Sequence, residues 1–173
     1  LAGLGELEGL PWSLPMEEFF EAWLEHLAER VARSFGGTVE TGRKRETVVP
    51  LRWSPPYAGS QRALVPDIVI ERPDHTVILD AKYKRHFEEI EHHSWHALTD
   101  KLRERHRADL LQVLAYAATS DKPDTTTCLV YPCTPKTWHS LHERDRLTHR
   151  TQLGAGPRQI TVLLAAVAIG GPA

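Results

Sequence analysis

Asp67 opens one apolar run of the chain, VPDIVIE, and the next run, HTVILDAKYKR, closes on Asp80, Ala81 and Lys82. Carboxylates and an ammonium are costly there, because a charge withdrawn from water needs a partner or a metal ion. Residues i and i+2 of a strand face the same way, so Asp80 and Lys82 project together while Leu79, Ala81 and Tyr83 turn to the other side. If the two runs pair through the turn RPDH, a rise of about 3.3 Å per residue returns Asp80 to the neighbourhood of Asp67. Two carboxylates and one lysine would converge, a set that suits a hard divalent cation. Mg²⁺ takes oxygen ligands, usually one or two carboxylates with water and phosphate oxygens. The matching reaction is phosphodiester hydrolysis, with water activated by the cation and the lysine orienting the nucleophile or neutralising the transition state. The plainer alternative is a strand-edge ion pair of Asp80 with Lys82, worth about 0–1 kcal/mol. The apolar packing of TVILDAKY argues against it.

A second stretch, RADLLQVLAYAA, places Asp109, Gln112 and Tyr116 at i, i+3 and i+7, on one face of a helix. Gln112 and Tyr116 there either hydrogen-bond the strands of the site or a DNA backbone, or serve as a boundary residue and a core aromatic. In HHSWH, His92 and His96 stand at i and i+4, but the glutamate of an H-E-x-x-H zinc motif is missing. That segment reads as polar and exposed.

The elements that must hold these residues follow from periodicity. PMEEFFEAWLEHLAERVARSF, 15–35, sets Met16, Phe19, Phe20, Trp23, Leu24, Leu27, Val31 and Phe35 at helical spacing, with Pro15 at its start and Gly36-Gly37 as its stop. Short β-rich runs follow at TVET, TVVPLRW, RALVPDIVIE and HTVILDAKY, separated by SPPYAGS and RPDH, and read as an antiparallel meander. RHFEEIEHHSWHALTDKLRERHR is polar and expected to be exposed in its first half. A helix then buries Leu110, Leu111, Val113, Leu114, Ala115 and Ala117. TTCLVYP is a short buried strand, 134–158 a loop rich in His, Arg and Thr, and RQITVLLAAVA a final strand. The order predicts an α/β fold with a central mixed β-sheet flanked by α-helices.

The 173 residues, 41% hydrophobic and 25% charged, fit a single globular domain over 1–173. The opening LAGLGELEGL begins at Leu1 and reads as a loop-like lead-in over 1–13, as in a domain excised from a longer protein. A formal net charge of -2 conceals basic clusters at Arg43, Lys44 and Arg45 and again at Lys82, Lys84, Arg85, Lys101, Arg103, Arg105 and Arg107. These permit a nucleic-acid partner. Two cysteines, Cys128 and Cys133, read as reduced thiols of a cytoplasmic protein, and no apolar run reaches the roughly 18–20 residues of a membrane span.

Five blocks in order, PMEEFFEAW, PDIVIE, VILDAKYK, DLLQVLAYA and LVYP, resemble the nuclease domain of McrC-like endonuclease subunits of modification-dependent restriction systems, within the PD-(D/E)XK superfamily. The resemblance covers most of 14–133. It implies a restriction-endonuclease-like core and a Mg²⁺-dependent DNA endonuclease of antiviral defence, with Mn²⁺ able to substitute. Asp67 and Asp80 would bind the metal, the Ala81 backbone carbonyl would add a ligand and Lys82 would assist the attacking water. Glu21 falls where such proteins carry a first-helix glutamate, although Glu17, Glu18, Glu21 and Glu25 share the helix and also suit a solvated face. Gln112 and Tyr116 resemble the Gln-xxx-Tyr element of RecB-like nucleases.

The expected partners are double-stranded DNA, held by Arg43, Lys44, Arg45, Lys84, Arg85, Arg103 and Arg107, and a McrB-like AAA+ GTPase motor subunit. Cutting both strands calls for a homodimer or for pairing within a larger complex. A catalytically silent binding module and an RNA nuclease are the competing expectations.

Overall fold

The computed structural model describes residues 14–90 and 93–170. Helix α1 (Met16–Phe35) ends at Gly36, whose φ of 73° lies in the left-handed region that glycine enters without penalty. Its buried stripe is Phe20, Leu24, Ala28 and Ala32, spaced by four. Phe19, Val31 and Phe35, expected inside, are exposed. Small alanines let the helix lie close on the sheet, and the large side chains flank that contact.

The strands in chain order are β1 (Thr38–Thr41), β2 (Val49–Pro50), β3 (Ala63–Leu64), β4 (Ile68–Glu71), β5 (His75–Ala81), β6 (Asp124–Cys133), β7 (Thr148–Ala155) and β8 (Arg158–Ala168). Six of them form one mixed sheet in the order β1-β4-β5-β6-β8-β7. β4 runs antiparallel to both of its neighbours, β1 and β5, β5-β6 and β6-β8 are parallel, and β7-β8 is an antiparallel hairpin. The expected meander therefore holds for three strands. β2 and β3 leave it and pair with each other as a separate arm. The long run RALVPDIVIE is accordingly split at Val65–Asp67, where Pro66 removes a ladder donor.

Helices α2 (His86–Ile90), α3 (Asp100–Thr119) and α4 (Pro135–Glu143) complete the fold. One sheet face packs Ile68, Ile70, Cys128 and Val130 against α1. The other packs Ile78, Leu129, Tyr131 and Val162 against Val113, Tyr116 and Ala117 of α3, Phe87 of α2 and Leu141 of α4. Each such large apolar side chain contributes roughly 1.5–3 kcal/mol of transfer free energy. The mixed sheet between helices is the α/β architecture the periodicities predict, and it is compatible with a restriction-endonuclease-like core.

Three expectations need correction. The polar stretch before 108 is not an exposed coil: His86 and Phe87 are buried, and α3 starts at Asp100, with the Thr99 hydroxyl accepting from Leu102 N. Within α3, Leu111 is 60% exposed and Ala115 is exposed, because only the stripe through Asp109, Val113, Tyr116 and Ala117 meets the sheet. The segment 134–158 is not a loop. Thr134 caps α4 by accepting from Thr137 N with Pro135 at the first position, and β7 is an edge strand supported by β8. The lead-in 1–13 and His92 lie outside the described residues, while His96 is exposed in a 3₁₀ turn (Trp95–Ala97). Cys128 and Cys133 are free and buried, and burial pushes their thiols up to about 12 and about 11. Among the described residues no helix is long and apolar enough to cross a membrane.

Candidate active site

β4 and β5 pair with Ile68 opposite Leu79, and the next step outward sets Asp67 opposite Asp80. The strand alternation turns both carboxylates to the α3 side, since Ile68 and Leu79 pack toward α1. Asp67 Oδ2 accepts from the Ala81 N–H at 2.8 Å, so the carboxylate caps the end of β5 where the β4 ladder stops. Beyond it, Lys82 N donates to Val130 O at 2.9 Å and keeps the strand end attached to β6.

Asp80 is fully buried, and Lys82 Nζ lies 2.5 Å from its Oδ2. Apart from this ammonium, neither oxygen of Asp80 has a hydrogen-bond partner. Burial, and then the charge of Asp67, raise the Asp80 carboxyl to about 6, against the pull of Lys82. Burial likewise raises Asp67, moderated by the Ala81 N–H. For Lys82, burial works downward, but Asp80, Asp67 and Asp109 together outweigh it and hold the ammonium charged.

α3 orients Lys82. Its ammonium donates to Gln112 Oε1 at 3.0 Å, Gln112 Nε2 donates to Tyr116 Oη at 2.7 Å, and the Tyr116 hydroxyl donates to Val65 O at 3.2 Å. Residues from β5, α3 and the entry to β4 thus close one chain of hydrogen bonds around the acidic pair. Glu21 faces the same region from α1. Burial raises its carboxyl, with Glu25 and Asp80 adding repulsion and Arg43 opposing.

Sequence reasoning grouped Glu25, one turn after Glu21, with a solvated helix face, but its side chain is only 13% exposed. Its Oε1 is buried without a hydrogen bond, Arg43 Nε is 3.9 Å away, and its charge is felt at Asp67. The i+4 spacing from Glu21 was the available signal. Also missed was the partner of Lys84, whose Nζ donates to both oxygens of buried Asp109 at 2.7 and 2.9 Å. Tyr131 Oη completes that group by donating to Asp109 Oδ2 at 3.2 Å, and His86 stacks on the Tyr131 ring at 4.1 Å. No motif announces it, because its members come from α2, α3, β6 and the loop after β5.

The basic residues divide. Lys84 is held by Asp109, Arg103 is paired with Asp100, and Arg43 and Lys44 each lie 3.9 Å from a glutamate of α1, Glu25 and Glu29. Arg43, Arg45, Arg85 and Arg107 are exposed, and Arg85 lines a cleft with Tyr83 and Glu88 beside the strand end that carries Lys82.

Two desolvated carboxylates that share one ammonium fit a hard divalent cation. Among the described residues no three His, Cys, Asp or Glu side chains converge closely enough to hold a metal ion. The protein would therefore supply the two carboxylates of Asp67 and Asp80 and leave other positions to water or phosphate oxygens, the manner in which Mg²⁺ commonly binds.

The family described as McrBC 5-methylcytosine restriction system component matches residues 9–132, more than two thirds of the chain. No curated protein matches it.

Proposed function

The chain belongs to the McrBC 5-methylcytosine restriction system component family, and from that membership we propose that it is the system's divalent-metal-dependent DNA endonuclease, with its centre at Asp67, Asp80 and Lys82. The observation that carries this reading is the acidic pair: Asp80, fully buried with the Lys82 ammonium as its one close partner, stands beside Asp67 at the open end of the β4–β5 ladder. Two buried carboxylates share that single ammonium, and a bound cation would offset the negative charge left over.

Asp67 and Asp80 would hold Mg²⁺ or Mn²⁺, with the Ala81 carbonyl as a further oxygen donor; Glu21, which does not converge with them as a third ligand, would add negative charge beside the ion. When bound, the ion supplies Lewis acidity toward the scissile phosphate and toward the attacking water. The chain's own residues do the rest. Lys82 stays protonated beside Asp80 and places positive charge where the pentavalent phosphorus gathers negative charge. Gln112 fixes the ammonium through its side-chain carbonyl, and Tyr116 fixes Gln112. Exposed Arg43, Arg45, Arg85 and Arg107 would neutralise phosphates along the substrate, and each contact on duplex DNA steepens the log-log salt dependence by about 0.9. Membership of a restriction system implies partners within it. We take an AAA+ motor subunit of the McrB type as the one that delivers DNA.

The test is plasmid cleavage in Mg²⁺ and in Mn²⁺ by the chain and by folded Asp80→Ala and Lys82→Ala variants, with calorimetric titration of Mn²⁺. The expected result is metal-dependent nicking or linearisation that both substitutions abolish, and Mn²⁺ binding that Asp80→Ala removes. A chain that neither cleaves nor binds Mn²⁺ would defeat the proposal.

A further inference from the structure

The arm formed by β2 and β3 has no place in the sheet, yet it is bolted to the strand that carries Asp67. Thr47 Oγ1, buried, donates to Pro66 O at 2.5 Å, and Gly42 N donates to Asp67 O at 2.8 Å. The approach at Gly42 is so close that a Cβ there would sit 2.8 Å from Pro66 O. Val65, between the arm and Asp67, accepts the Tyr116 hydroxyl. The base of the arm is therefore rigid with respect to the candidate site.

Its tip is built differently. Leu51 N donates to Arg62 O at 2.8 Å beyond the two-residue ladder, Trp53 Nε1 donates to Gln61 O at 2.9 Å, and Gln61 Nε2 donates to Ala63 O at 2.7 Å. These bonds fix an indole that is 47% exposed, with Tyr57, 62% exposed, edge-on to it at a ring separation of 6.2 Å. A held indole with an exposed tyrosine ring edge-on to it forms a platform rather than a piece of core. The charge around them is one-sided. Within 43–62 stand Arg43, Lys44, Arg45, Arg52 and Arg62 against the single acid Glu46, in a chain whose net charge is -2. Among the described residues neither Arg52 nor Arg62 has an ion-pair partner.

We propose that this arm binds unpaired nucleotides of the DNA substrate beside the scissile phosphate, Trp53 and Tyr57 stacking on bases and Arg52 and Arg62 meeting the backbone. The inference rests on the nuclease reading for its substrate. Basic side chains interleaved with exposed aromatics are what single-stranded nucleic acid requires, since every base offers a face to stack on and every linkage a charge. An intact duplex keeps its base faces covered, so the platform discriminates in favour of strand ends, bubbles or DNA opened by a motor.

The experiment measures binding of a fluorescent single-stranded 20-mer and of the matching duplex by anisotropy in EDTA, where cleavage plays no part. The chain is compared with Trp53→Ala/Tyr57→Ala and with Trp53→Phe/Tyr57→Phe. Thermal unfolding checks that each protein is folded. The double alanine variant should lose at least about ten-fold in affinity for the single strand and clearly less for the duplex, while the double phenylalanine variant retains most of it. Equal affinities for all three proteins, or a loss confined to the duplex, would overturn the proposal, and the former would leave the platform to a protein surface. Failure of the arm would leave metal-dependent cleavage intact. Failure of the nuclease reading would leave the EDTA binding result standing.

Discussion

Lys84 and Asp109, 25 residues apart, close a two-pronged ion pair of 2.7 and 2.9 Å between the end of β5 and the middle of α3. Asp109 is almost wholly buried, and its direct hydrogen-bonding partners are this ammonium and the Tyr131 hydroxyl. Lys84→Ala should therefore act on stability before it acts on DNA. The expected loss is about 2 kcal/mol, below the 3–5 typical of a fully buried pair because Lys84 is partly solvated. Urea unfolding of Lys84→Ala beside Arg85→Ala checks it: the Arg85 variant should unfold like the parent and bind DNA more weakly.

Asp80 makes the metal-free protein sensitive to alkali. Its carboxyl titrates near 6 in the fold against 3.8 for the ordinary group, so the native state binds the extra proton between those values. Stability contributed by that proton is present below about 3.8 and is lost as pH rises through 6. Asp80→Asn, which cannot ionise, should melt higher than the parent in EDTA at pH 7.5, with the gap closing as pH falls below 5. Added Mn²⁺ should raise the parent alone, by mass action on the native state. An Asn variant that melts lower at pH 7.5 in EDTA would contradict this.

His86 gives the opposite slope. Burial, and then the neighbouring His106, lower its imidazole to about 4 from 6.5, with His149 and Lys84 opposing protonation and Asp109 favouring it. The unfolded chain takes up the proton first, so this contribution is complete above 6.5 and is lost as pH falls toward 4. His86→Phe keeps the stacking on Tyr131, where the rings lie 13° from parallel, and removes the titration. Melting temperature against pH should fall less steeply for that variant between 6.5 and 4.

Tyr116 and Gln112 act on Lys82 at a distance. Tyr116→Phe removes the donor to Val65 O and the acceptor of Gln112 Nε2, a stability cost of about 1 kcal/mol. Single-turnover cleavage should slow without change in the Mn²⁺ isotherm, and by less than in Lys82→Ala. A Tyr116→Phe protein that cleaves at the parental rate would make the tyrosine a core residue and nothing more.

Much of this was legible in the sequence where local pattern and fold agree. Val65–Arg85 alternates as strands do, and the return of Asp80 beside Asp67 follows from the turn and a two-residue period. The first helix declared its limits through Pro15 and Gly36. What resisted reading depends on partners remote in the chain. β7 is polar on both faces and is a strand only because β8 lies beside it, while Leu111 looks like core yet points away from the sheet. The Lys84–Asp109–Tyr131 group joins three stretches whose separate patterns suggest basic surface, helix and strand. The Thr134-Pro135 cap of α4 was present in the sequence and is a start signal that a polar context obscured.

β5 occupies an inner position of the sheet, zipped to β4 along one edge and to β6 along the other. Its amides can exchange with solvent only when both seams part, which for an inner strand means opening the domain as a whole. The arm, by contrast, is a two-residue ladder that can breathe on its own. The molecule thus separates its clocks: β5, which carries Asp80, opens only with the domain, while the arm can open without disturbing it.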